Sequence, residues 1–357
     1  MNTRWLGWIR WLGVVGVGFL SGCAVGPRSD PPALSRFEYE EAQMGLPFRI
    51  VLYASSRVEA DRASQAAFRR IAELNSRLSD YEDTSETTIL SKSGGTGREV
   101  SVGSDLWKVL RGSEAMVRRS GGAFDPTVGP LIQIWRRARR EREMPKPEVV
   151  EEARRRTGFQ KVILSSSKRT VRLTTPGMRL DFGGIAKGYA ADEAIATLEK
   201  LGIRSALVSG GGDMTVSEPP PGQQGWKVEI GVPRPETAAS KRFVYLRHQG
   251  LATSGDLFQY FEHEGVRYSH IVNPATGIGL THRIQVTVIA RTGMEADSLS
   301  TAVSVLGIEK GLKLVERTRG ASASILRLDG PNMFLRDSTG FGKHLWNEPA
   351  RERGRSE

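Results

Sequence analysis

Asp181-Phe182-Gly183-Gly184-Ile185-Ala186-Lys187-Gly188 stands where an apolar run with the look of a strand, Met178 to Phe182, passes through a glycine pair into a helical pattern. Glycine lets a backbone come close to a neighbour. A helix N-terminus offers free N–H groups and a partial positive charge, which suits phosphate oxygens. Asp181 adds an acceptor and Lys187 a cation. Two readings stand at this point: a cradle for a phosphorylated ligand, or a turn whose glycines serve close packing.

Working outward, the helix that starts here runs to about Lys200, with Gly202 as its stop, and Ala206 to Ser209 follows as a buried strand. Upstream, Phe48 to Tyr53 reads as a strand. Ala60, Ala63, Ala67, Ile71, Leu74 and Leu78 form a helical stripe over 58–78. The polar residues 79–98 read as a loop. Ser104 suits the N-cap of a helix ended by Gly121 and Gly122, and Pro147 opens another helix to Arg156. A hairpin is expected at 162–164 and 171–173. Further strands are expected at 226–231, 243–247, 266–272 and 284–290, then a helix over 296–317 and a hairpin across Asp329-Gly330. Helices and strands intermix without a βαβ rhythm, which predicts an α+β fold: one large domain of mixed helices and mostly antiparallel sheet.

The N-terminus belongs to a different kind of segment. Arg4 and Arg10 precede an apolar run, Val14 to Leu20, that is too short and glycine-rich for a comfortable membrane span. Residues 1–22 therefore read as a signal peptide. Leu20-Ser21-Gly22-Cys23 resembles a bacterial lipobox, in which the cysteine carries lipid. Cys23 is the chain's one cysteine, so an exported protein without disulfides is expected. The expected location is the cell envelope, lipid-anchored and facing the periplasm. Ala24 and Val25 give no aspartate signal for inner-membrane retention, which leaves the choice of membrane open. Residues 23–40 read as a flexible tether and 348–357 as a charged, disordered tail. The net charge of +11 comes largely from arginine runs at 136–140 and 154–156 that alternate with glutamates, as on a solvated helix. Aromatics do not interleave with those runs, which argues against nucleic acid.

The common phosphate and dinucleotide loops, zinc signatures and hydrolase elbow are all absent. Asp297 and Thr301, spaced by four, share one helix face. They are hard oxygen donors suited to Mg²⁺, which takes one or two protein ligands beside substrate phosphates and water. A helix cap and a packed threonine would give the same spacing. His270 ends a strand before a Pro/Gly turn, a place where a histidine can exchange protons near neutral pH. The Gly122–Pro130 loop offers backbone groups that can read a ring edge, or is a helix C-cap followed by a turn.

Eight blocks occur in order: Met44-Gly45; Leu78-Ser79-Asp80-Tyr81 with Ser85-Glu86; Gly122-Ala123-Phe124-Asp125; Asp181 to Asp192; Ser209 to Asp213; Thr253 to Asp256; His270 to Gly277; and Ala296-Asp297-Ser298 through Thr301-Ala302. Behind the lipobox, they resemble the ApbE family of FAD:protein FMN transferases over about residues 41–340, which places the domain at 41–347. The resemblance implies that FAD is the substrate and Mg²⁺ the cofactor. It implies a reaction in which a threonine hydroxyl of a target flavoprotein attacks the FMN-side phosphorus and AMP leaves. It implies metal ligands at Asp297, Thr301 and the Gly184 carbonyl. Nucleotide contacts follow at Met44, Tyr81, Ala123, Phe124, Asp125, Asp181, Lys187 and Ile271, with His270 and Asp297 as catalytic residues. Implied partners are subunits of the Na⁺-translocating NADH:quinone reductase or Rnf type, or FMN-binding-domain proteins. FAD hydrolysis to FMN and AMP, or a non-catalytic FAD-binding lipoprotein, are the alternatives. Asn273 stands where many members carry Asp, and the Leu-Asn pair usual after Ser85-Glu86 is missing.

Overall fold

The computed structural model describes residues 33–231, 242–255, 260–330 and 332–346. Cys23, Asp256, the signal segment and the 348–357 tail lie outside them. Eight strands lie side by side in chain order: Ser35–Gln43, Leu46–Ala54, Ala206–Gly210, Asp213–Val216, Gln249–Gly255, Arg283–Ala290, Ser322–Asp329 and Asn332–Asp337. Every neighbour is antiparallel, so the sheet is a meander with long excursions between its strands. This is the α+β fold with mostly antiparallel sheet that the intermixed pattern predicts.

Two tight turns set the sheet's site end. Met44 and Gly45 have φ of 51° and 76°, and Gly211 and Gly212 have φ of 62° and 94°. Positive φ at both central residues matches the twist of antiparallel strands, so each turn closes in two residues. The adjoining strands bring both turns to one end of the sheet.

Strand alternation divides the core. Phe48, Ile50 and Leu52 face a helical layer, while Val51 packs on the opposite side with Trp226, Val244 and Phe341. The helical layer contains Arg57–Leu78, whose buried residues are the expected stripe, together with Ala186–Lys200 and Gly293–Glu316. A third cluster joins Gly129–Glu141 and Pro147–Arg155 to the hairpin Tyr260–His263 and Val266–Ser269.

The layer's closest approach is at Gly188 and Gly293. A Cβ on Gly188 would lie 2.1 Å from the Gly293 carbonyl oxygen, so the two helices cross with no room for a methyl group. Asp192 fixes the crossing: its carboxylate accepts from the Gly293 N–H at 2.7 Å, the Met294 N–H at 2.9 Å and the Thr215 hydroxyl at 2.7 Å.

Local departures have local causes. Residues 35–40, expected in the tether, belong to the first strand, because Phe37 and Tyr39 alternate with charged residues and pack on the core. Part of the expected 79–98 loop is the helix Glu86–Lys92, capped by the Ser85 hydroxyl accepting from the Thr88 N–H at 3.0 Å. Gly103, not Ser104, is the N-cap of Ser104–Ser120, with the Glu86 carboxylate accepting its N–H at 2.8 Å. The strand expected over 266–272 stops at Ser269. Gly307, at φ 74°, interrupts the helix expected as continuous over 296–317. Met178 to Phe182, which reads as a strand, forms none: Arg179 makes an isolated bridge to Val128, Leu180 donates to the Ser91 hydroxyl and Asp181 to the Pro126 carbonyl.

Candidate active site

The Asp181–Gly188 segment is held from both sides. The Asp181 N–H donates to the Pro126 carbonyl at 2.7 Å, which ties the segment to the Gly122–Pro130 loop. One Asp181 oxygen accepts from the Gly183 N–H at 2.8 Å and the other from Arg136 at 2.8 Å. Burial pushes the Asp181 carboxyl up, Asp80 adds to this, and Arg136 opposes it. Arg136 also pairs with Asp80, and its guanidinium lies 4.3 Å over the Tyr81 ring. The exposed Tyr81 ring is thus oriented beside Asp181 by a single arginine.

The second half of the segment meets the Gly293–Glu316 helix. Lys187 Nζ lies 2.7 Å from Asp213 Oδ2, 3.4 Å from each Asp297 oxygen and 3.0 Å from the Gly183 carbonyl, to which it donates. Asp297 is 2 % exposed and accepts from the Gly188 N–H at 3.1 Å. Burial pushes its carboxyl up to about 7; Lys187 pulls it down and Asp213 adds to the rise. Burial alone would lower the Lys187 pKa, but the two carboxylates hold it above the usual lysine range. Thr301 lies one turn beyond Asp297, and a Cβ on Gly184 would sit 2.8 Å from its hydroxyl oxygen. Gly184 is therefore glycine because Thr301 occupies the space a side chain would need. Asp297 is not the N-cap of its own helix, a place that Thr292 takes; the donor it satisfies is the Gly188 N–H in the first turn of Ala186–Lys200.

The Asp297 carboxylate, the Thr301 hydroxyl and the half-buried Gly184 backbone are hard oxygen donors of the kind that suits a small divalent cation, which takes its remaining ligands from phosphate and water. Among the described residues no group of three or more His, Cys, Asp or Glu could hold a metal ion.

A model of the ApbE family matches residues 44–326. The chain belongs to the ApbE family. A Haemophilus influenzae protein named FAD:protein FMN transferase is 30% identical to it over 283 residues, 77% of this chain and 81% of its own. A Klebsiella pneumoniae protein of the same name is 32% identical over 327 residues, 87% and 90%. The flavinyl transferase ApbE of Pseudomonas stutzeri, in its apo form, superposes with a TM-score of 0.77 at 28% identity, covering 87% of this chain and 97% of its own. The ApbE protein of Thermotoga maritima gives 0.78 at 28% identity, covering 88% and 100%.

In this ApbE chain the residues expected from sequence fall into four groups. Gly184, Lys187, Asp297 and Thr301 come together, and Asp181 joins them through Gly183 and brings Tyr81. Met44 lies at the same end of the sheet, in the first tight turn. His270 is exposed at the end of Val266–Ser269, with Ile271 buried behind it. Asp125 is engaged structurally: within its own loop its carboxylate accepts from the Thr127 N–H at 2.9 Å and the Thr127 hydroxyl at 2.6 Å, and beyond it from the Phe159 N–H at 3.1 Å. With Phe124 buried in the core, what this loop offers a ligand is backbone. Asn273 accepts from the Ala275 N–H at 2.9 Å, a turn-capping bond that an amide oxygen makes as well as a carboxylate.

Three residues of the site have no role assigned from the sequence, although Asp80 and Asp213 lie within the family's motif blocks. Asp213 follows a glycine run whose role is visible only once Lys187 is beside it. Asp80 and Arg136 meet only across the fold. Arg136 sits in an arginine run that reads as solvated, and Arg137 does pair with Glu141 as expected, but Arg136, next to the buried Trp135, turns inward.

Proposed function

We propose that the protein transfers FMN from FAD to a threonine hydroxyl of a target flavoprotein, releasing AMP. The observation that carries this is the convergence of Gly184, Lys187, Asp297 and Thr301 at the start of the Ala186–Lys200 helix, in a chain of the ApbE family. The names of the relatives, FAD:protein FMN transferase, support the same reaction.

In this reaction the acceptor oxygen bonds to the FMN-side phosphorus. The bond from that phosphorus to the bridging oxygen breaks, and AMP carries the bridging oxygen away. Phosphoryl transfer of this kind needs positioning and charge neutralisation more than covalent help. Asp297, Thr301 and the Gly184 carbonyl would hold Mg²⁺, which neutralises diphosphate charge when bound. Lys187 adds a second positive charge at the helix N-terminus. Tyr81, steadied by Arg136, offers a ring face to the nucleotide. His270 takes up the proton of the acceptor hydroxyl.

The lipobox supports a lipid anchor at Cys23 and an envelope location. No helix among the described residues is long and apolar enough to cross a membrane. The family resemblance suggests respiratory Na⁺-translocating NADH:quinone reductase or Rnf-type subunits, or FMN-binding-domain proteins, as targets.

Incubation with FAD, Mg²⁺ and an FMN-binding-domain acceptor, followed by a denaturing gel, tests the proposal. In-gel flavin fluorescence on the acceptor together with AMP release is the expected result. AMP and FMN without labelled acceptor would mean hydrolysis instead. Intact FAD after prolonged incubation would leave a binding protein.

A further inference from the structure

The contacts of Lys187 are unequal. Its ammonium is at 2.7 Å from Asp213 Oδ2 but 3.4 Å from both Asp297 oxygens. The tight partner is thus Asp213, and the carboxylate needed for a metal is held at arm's length. A lysine ammonium and a divalent cation seek the same oxygen lone pairs. An ammonium seated fully on Asp297 would therefore compete with the metal from inside the protein.

Asp213 is built to prevent this. It is 3 % exposed and follows directly on the Gly211-Gly212 turn, which sets where its strand begins. Its other oxygen accepts from the Thr253 N–H at 3.2 Å. The carboxylate is fixed by two strands of the sheet, whereas Lys187 reaches it on a flexible stem. One ammonium between two carboxylates also leaves a net negative charge, which attracts a divalent cation.

We propose that Asp213 is a positioning residue for metal loading: it parks the Lys187 ammonium so that the Asp297 carboxylate stays open to a divalent cation. When the cation enters, Lys187 gives up its long contact with Asp297 and keeps Asp213. No covalent bond changes. The proposal rests on the assignment of Asp297 and Thr301 to the metal.

Titration of the full-length protein with Mn²⁺, followed by electron paramagnetic resonance in the absence of FAD, tests it. In Asp213→Asn the ammonium closes on Asp297, and Mn²⁺ affinity falls about tenfold, the scale of coupling between groups in one network. In a Lys187→Met background the same Asp213→Asn change alters affinity by less than about threefold, because no ammonium remains to be parked. Lys187→Gln replaces Lys187→Met if two facing carboxylates without a cation prevent folding, which circular dichroism would reveal. Equal weakening in both backgrounds would make Asp213 a mere contributor of charge and overturn the proposal. So would unchanged affinity in Asp213→Asn alone. Wild-type Mn²⁺ binding by Asp297→Ala would instead overturn the metal assignment, a distinguishable failure.

Discussion

A carboxylate as buried as Asp297 is costly unless paired, and here the pairing is incomplete: one N–H from Gly188 and a distant ammonium. That unspent acceptor capacity is what a metal ligand needs. Asp297→Ala is expected to lower metal-dependent AMP release at least about 10²-fold, the scale on which one charge-stabilising group acts. Stability should fall by about 1–3 kcal/mol, since Lys187 keeps Asp213 but the buried Gly188 N–H loses its acceptor; denaturant unfolding beside the activity assay would separate the two. Gly184→Ala forces a methyl group to within 2.8 Å of the Thr301 hydroxyl. It should cost about 1–3 kcal/mol, as overpacking does, and weaken Mn²⁺ binding through displacement of Thr301. A fully stable variant with normal binding would show that Thr301 can step aside. His270→Ala should reduce the rate far more than FAD affinity. Equal losses in a comparison of kcat with the FAD dissociation constant would reduce it to a binding residue.

At the scale of elements, the site depends on one helix crossing. Lys187 and Asp297 lie on different helices, and the crossing at Gly188 and Gly293 sets the distance between them. Backbone atoms of Gly293 and Met294 fill the space beside Gly188, so no rotamer change can admit a side chain there. Gly188→Ala should therefore destabilise by about 3 kcal/mol or more, near the upper range for overpacking. Urea unfolding would measure it, and a loss under about 1 kcal/mol would mean the helices can separate without cost. Helix identity is readable from sequence, because the 58–78 stripe and the Asp297–Thr301 spacing are properties of short windows. Helix 86–92 escapes such a reading because its two turns carry mostly polar residues whose burial comes from neighbours. The run Met178 to Phe182 alternates like a strand, but no partner strand lies alongside, so its pattern reports burial rather than sheet pairing.

Across the whole molecule, Asp105 joins three helices. Its buried carboxylate accepts from Arg70 and Arg77 on one helix and from the Tyr189 hydroxyl at 2.7 Å on another. Burial alone would raise its pKa, but Arg70 and Tyr189 hold it down to about 2. The unfolded chain then binds the proton more readily than the folded one, so stability rises with pH across this window. The contribution is complete above the ordinary carboxylate range near 4 and is lost as pH falls toward 2. Asp105→Asn should cost about 3 kcal/mol at neutral pH, as breaking a buried pair does. It should also flatten the acid limb of the stability curve between those values. An unchanged acid limb in denaturant melts across pH would assign the acid sensitivity to other groups.

The α+β class, most helices and the shared face of Asp297 and Thr301 could be read from the chain, because apolar periods and a spacing of four are written within a few residues; Gly184 as a candidate ligand comes from the family resemblance. The order of the sheet, the inward turn of Arg136 and the parking of Lys187 on Asp213 could not. Lys187 and Asp297 are 110 residues apart, and Arg136 and Asp80 are 56 apart. Charged side chains choose partners by distance and burial, and those are set only when the helices cross and the strands of the meander pack against them.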